Sequence, residues 1–160
     1  MTQEDAKNVF EEQELFRLIE VAWIFDLPLT QTRLHLVKGF IPCSMPTPKR
    51  SVPSLFVPDD LLSIGAFYAL VQKNGLHHAR ASKIIKQIPP DTWRDVRDGF
   101  IRYMVVSLTG EGGSSYLFDL EDLAEPATAA TLIIDLQAIR AHVIQRAADT
   151  FDTRRQIRGF

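Results

Sequence analysis

The side chains with most to offer a partner fall in one short stretch, residues 29–42, LTQTRLHLVKGFIP. Thr30, Gln31, Arg33, His35 and Lys38 are polar and closely spaced. Gln31 suits bidentate pairing with adenine, and Arg33 suits guanine or a phosphate. Lys38, followed by Lys49 and Arg50, offers positive charge to phosphate oxygens, which fixes position and adds affinity without reading bases. A helix that carries such groups near its N-terminus can enter the major groove, where its free N–H groups also favour phosphate. The chemistry on offer is recognition of DNA.

Bond-making chemistry finds no comparable set. His77 and His78 are adjacent, so on a helix they point about 100° apart and do not chelate as an i, i+4 pair would; a helix start is the expected role. Cys43 is the single cysteine. It excludes an intrachain disulfide and a four-thiolate zinc site, and no neighbour activates it. EGGSS, residues 111–115, lacks the Lys-Ser/Thr of a phosphate-binding loop and joins two strand patterns. Asp119, Glu121 and Asp122 read as a solvated strand end. No spacing of Ser, His, Asp or Cys argues for catalysis, so the sequence predicts no enzyme, no cofactor and no metal site.

The elements that must position the polar stretch can be read around it. LFRLIEVAWIF, residues 15–25, predicts a first helix with Leu15, Leu18, Ala22 and Phe25 on one face, widened by Ile19 and Trp23, with Trp23 in the core. Asp26-Leu27-Pro28-Leu29 is a turn. Thr30 then stands as N-cap of a second helix that runs to about Lys38 and ends with Gly39 at the C′ position. Helix, tight turn, helix is the outline of a helix-turn-helix. Residues 42–58 hold five of the nine prolines and predict an extended excursion with Lys49 and Arg50 near its tip. Asp59 caps a third helix to Asn74, with Leu61, Ile64, Tyr68 and Val71 as its stripe. A fourth helix runs from His77 to Ile88 and is closed by Pro89-Pro90. Beyond it, residues 100–108 and 116–120 predict a hairpin, 131–136 a third strand, and the following residues a helix of about fifteen residues. The RRQIRGF tail shows no pattern. The expected fold class is α+β, mainly helical at first and mixed afterwards.

Composition agrees with a globular chain: 46% hydrophobic and 24% charged residues suffice for a core. No apolar run nears the roughly 20 residues that span a bilayer. The acidic start lacks a secretory pattern, so a cytoplasmic, nucleoid-associated protein is expected. The net charge of −2 hides an asymmetry. Residues 1–14 carry one Lys against five Asp/Glu, residues 15–90 nine Lys/Arg against four, and residues 91–160 eight Arg against eleven. A basic middle between acidic flanks suits an anionic partner. These limits also give the expected organisation: an acidic N-terminal arm over 1–14, a DNA-binding domain over 15–90 and a small α+β domain over 91–160.

Five pieces, in order, resemble the start of MerR-family transcription regulators. They are Glu20-Val21-Ala22, then Arg33, then Gly39-Phe40-Ile41-Pro42, then Phe56-Val57-Pro58-Asp59-Asp60-Leu61, and finally Lys73-Asn74-Gly75-Leu76-His77. The resemblance covers about residues 16–88. The chain departs from the family at Leu34-His35-Leu36, where the pattern has Tyr-Tyr-Glu, at Gln31-Thr32, and at Ser54-Leu55-Phe56 in the wing. The resemblance implies a winged helix-turn-helix that acts as a homodimer on double-stranded DNA, with the C-terminal domain serving dimerisation or a small-molecule or protein effector. Two alternatives share the pattern: an excisionase-like architectural protein that bends DNA, and a protein-interaction module that has lost DNA binding.

Overall fold

The computed structural model describes residues 2–12, 15–47, 52–108, 114–118 and 131–158. Among them lie seven α-helices and two small antiparallel sheets, an α+β fold that is mostly helical. In chain order they are α1 (Gln3–Glu12), β1 (Phe16–Arg17), α2 (Leu18–Ile24), α3 (Leu29–Val37), β2 (Leu55–Phe56) and α4 (Pro58–Tyr68), which continues as a π-helical turn over Ala69–Lys73. There follow α5 (His78–Lys86), α6 (Pro90–Arg97), β3 (Tyr103–Leu108), β4 (Ser114–Leu117), β5 (Thr131–Asp135) and α7 (Leu136–Arg158).

The centre is α4. Every residue from Asp60 to Leu70 is buried, as expected of a helix that is apolar nearly all round. α7 packs along α4, α2 and α1. Its approach to α4 is close: a Cβ at Gly65 would lie 2.5 Å from Ile139 Cγ2, so only glycine fits there. Ala6 and Phe10 from α1 join the same core as Val143 and Ala147 from α7. The segment expected as an acidic arm is therefore a docked helix over residues 3–12, opened by a reciprocal cap between Thr2 and Asp5. One interior serves residues on both sides of the expected boundary at 90/91.

Local chemistry sets the helix ends around the polar stretch. At the end of α2, Leu27 N–H donates to Ala22 O (2.9 Å) and Asp26 N–H to Trp23 O (3.3 Å), while Asp26 adopts φ 52°. At the end of α3, Phe40 N–H donates to His35 O (2.9 Å) and Gly39 N–H to Leu36 O (3.0 Å), with Gly39 at φ 72°. Both are Schellman endings, in which a left-handed residue reverses the chain and satisfies the last carbonyls. Gly39 stands at the C′ position the sequence predicts. Thr30 is not the N-cap; Pro28 occupies that position and Thr30 lies within the first turn.

The C-terminal sheet has the order β4-β3-β5, all antiparallel, with Met104, Val105 and Val106 of central β3 buried. The hairpin and third strand agree with the pattern, although β3 starts only at Tyr103. The Gly-rich turn and the carboxylates Asp119, Glu121 and Asp122 lie outside the described residues. Two elements differ from expectation. α6 begins at Pro90, where the sequence predicts a stop, because proline at the first helical position loses no hydrogen bond. α7 has 23 residues and extends through Arg158, since Arg154 on its last turns is ion-paired with the buried Glu20 of α2.

Candidate nucleic-acid interface

α3 is turned so that Thr32 and His35 face inward while Thr30, Gln31, Arg33, Leu34, Val37 and Lys38 are exposed. Thr32 Oγ1 donates to Pro28 O at 3.1 Å, fixing the first turn from inside. The outer face centres on Thr30, Leu34 and Val37, with Arg33 on one flank and Gln31 and Lys38 on the other. The helix, LTQTRLHLV, holds no carboxylate. Leu34 (49% exposed) and Val37 (78%) were not singled out by the sequence reading. The signal available was their i, i+3 spacing opposite Thr32 and His35. Apolar side chains on a groove-facing helix suit thymine methyl groups.

His35 is the correction. It is only 5% exposed and cannot share the outward face with Arg33 and Lys38. Its Nδ1 lies 2.8 Å from the Tyr68 hydroxyl, and its ring sits 4.9 Å from that of His78. Burial, followed by the nearby charges of His78 and Lys38, holds the imidazole below its ordinary pKa. Burial likewise pushes the Tyr68 phenol well above the usual tyrosine range, so at neutral pH both rings meet uncharged. His35 seats α3 on α4.

Beside α3 the chain makes a small pleated structure. Met45 and Leu55 exchange backbone hydrogen bonds (3.2 and 3.0 Å), and Leu55 also pairs with Arg17, while Phe56 pairs with Phe16. The clasp at its base is Asp60, whose carboxylate accepts from Val57 N (3.0 Å), Ser44 N (2.9 Å) and Ser44 Oγ (2.7 Å). A short Asp side chain at the third position of α4 can therefore cap the helix and pin residues 44 and 57 together. The cap expected at Asp59 is supplied by Asp60; the Asp59 carboxylate pairs with Arg97 at 3.0 Å instead. Lys49 and Arg50, expected at the tip of this excursion, lie outside the described residues.

The remaining candidates resolve simply. Cys43 Sγ donates to Leu55 O at 3.1 Å, and burial raises the thiol's pKa, which disfavours the reactive thiolate. His77 is the N-cap of α5, with Nδ1 accepting from Ala79 N at 3.3 Å. Trp23, expected in the core, is 44% exposed, because α2 begins only at Leu18 and buries Glu20, Val21, Ala22 and Ile24. Among the described residues no three His, Cys, Asp or Glu side chains gather as metal ligands, and no helix is long and apolar enough to cross a membrane. No protein-family model matches the chain, and no curated protein matches it in sequence.

Proposed function

We propose that the chain is a sequence-specific DNA-binding transcription regulator of MerR-like build, with α2 and α3 as the helix-turn-helix and the Met45–Leu55 structure as the base of its wing. The observation that carries this reading is the outer face of α3, where Gln31, Arg33 and Lys38 stand exposed on a helix free of negative charge. In this reading α3 lies in the major groove, Gln31 and Arg33 meet base edges, and Lys38, Lys49 and Arg50 meet phosphates. The active form is a cytoplasmic homodimer on an inverted repeat, because a second copy doubles the contacts that one short helix can make. The C-terminal half would serve the dimer or an effector.

Leu34 and Val37 favour a second reading, in which the same face meets a protein. Capture of genomic fragments by purified protein separates the two. The expected result is enrichment of a few fragments sharing an inverted repeat, with Arg33→Ala weakening binding by about 1–3 kcal/mol and relaxing the sequence preference. Equal recovery of all fragments would point to architectural binding instead. Recovery of none at low salt would overturn the DNA reading in favour of a protein partner.

A further inference from the structure

Lys38 belongs to a second surface feature that the helix-turn-helix alone does not explain. Beyond the end of α3, a shallow cleft of about 510 Å³ opens between the Gly39-Phe40 reversal and α5. On α5, Lys83 and Lys86 line it from exposed positions, the buried Ser82 joins them by donating to Gly39 O (3.4 Å), and Ala81, Ile84 and Ile85 are buried away from it. Lys38 closes the third side, its ammonium 6.0 Å from the centre of the Phe40 ring.

Three features make this a site for an anion. No carboxylate lines the cleft. None of the three lysines is ion-paired among the described residues, although the chain's twenty Asp and Glu outnumber its other fifteen basic residues and do pair where geometry permits, as at Arg97 and Arg146. The turn also places the charge: Lys86 Nζ lies 3.7 Å from where a Cβ on Gly39 would stand, so this ammonium rests against the left-handed glycine that ends α3. Three exposed lysines that line one cleft without a carboxylate leave its positive charge uncompensated, and an anion seated there would be attracted by all three.

We infer that Lys38, Lys83 and Lys86 form a phosphate clamp that grips the DNA backbone flanking the groove occupied by α3. The inference rests on the DNA-binding reading above and extends it: α5 becomes a second contact element, and the footprint widens past the end of α3. Lys38 joins the two surfaces, since it ends the outer face of α3 and lines the cleft. Contacts of this kind add affinity uniformly and carry no base information.

The test measures binding of the full chain to a labelled mixed-sequence duplex of about thirty base pairs, roughly three helical turns, between about 50 and 200 mM salt. Wild type is compared with Lys83→Gln/Lys86→Gln and with Lys73→Gln, a charge-loss control outside the cleft; thermal unfolding confirms that each variant folds. The expected result is a log–log salt slope shallower by about 1.8 for the double variant, from about 0.9 per lost phosphate contact. Its affinity loss across that salt range then becomes roughly tenfold smaller than the wild type's, and Lys73→Gln keeps the wild-type slope. If wild type binds and the double variant keeps both slope and affinity, the clamp is overturned and the reading helix stands. A control that flattens the slope as much as the double variant also overturns it, since the effect is then one of overall charge. If wild type does not bind the duplex at low salt, the DNA reading falls and the clamp falls with it.

Discussion

Nine residues make α3 and twenty-three make α7, and the two are secured by different means. α3 is bounded by reversals whose hydrogen bonds span a few residues, and its inner side is small: Thr32 and His35 are buried and Leu36 packs partly against the core. α7 is tied down by side chains that reach far along the chain. Arg146 donates to Trp23 O at 2.7 Å and pairs with Asp26, His142 donates to Ile24 O at 3.2 Å, and Arg154 meets Glu20. Arg140 adds a bond to Arg97 O at 2.6 Å. The difference teaches where change is tolerated. A helix held by its ends can alter its outer face freely, whereas a brace held by its side chains cannot.

The contrast breaks most readily at α7. Arg154→Ala leaves the Glu20 carboxylate, 2% exposed, without its counter-ion. The expected loss is about 3–5 kcal/mol by calorimetry; a loss below about 1 kcal/mol would show that this pair does not secure the brace. Next comes Asp60→Ala, which strands three donors at the base of the Met45–Leu55 structure. It should cost about 3 kcal/mol and speed amide exchange at Met45 and Leu55, and unchanged exchange would refute the clasp. Gly65→Ala should cost about 2 kcal/mol by forcing Ile139 away. Adding Ile139→Ala should recover part of that loss in a double-mutant cycle, and strict additivity would disprove the contact.

The mildest effect sharpens the comparison from the α3 side. His35 has its pKa lowered in the fold, so the unfolded chain binds the proton more readily and stability rises with pH. Its contribution is fully present above the ordinary value of 6.5 and is lost as pH falls from there toward the lowered value. Urea unfolding at stepped pH should therefore show the advantage of wild type over His35→Gln shrinking on acidification. A constant advantage would mean that His35 does not titrate in its seat.

What was legible in the sequence follows the same division. The end of α3, the cap at His77 and the antiparallel strands announce themselves locally, through Gly39, a polar residue before a helix, and runs of β-branched residues. α1 carries few apolar residues, Ala6 and Phe10 among them, and its Thr2–Asp5 cap was masked by a run of acid that reads as solvated. The last turns of α7 show no apolar repeat because their partner is a carboxylate on α2. Of the candidate site, the exposed Thr30, Gln31, Arg33 and Lys38 were visible, whereas the inward turn of His35 depends on Tyr68, thirty-three residues away. That Lys83 and Lys86 share a cleft with Lys38 was invisible, because they meet the end of α3 only through the fold.

The partnership of α2 with α7 also has a consequence for how the chain reaches its folded state. The bonds that join them close loops of 118 and 123 residues, while the reversals that end α2 and α3 close within a single turn. During synthesis the α2–α3 unit can take its local shape early, yet Glu20, Phe10 and Gly65 must wait for α7 to emerge before they are covered. Contacts of such long separation form late and slowly. The nascent chain therefore passes through a stage in which α4 is sheltered on one side only, and the time spent there is set by the rate of translation between α4 and α7.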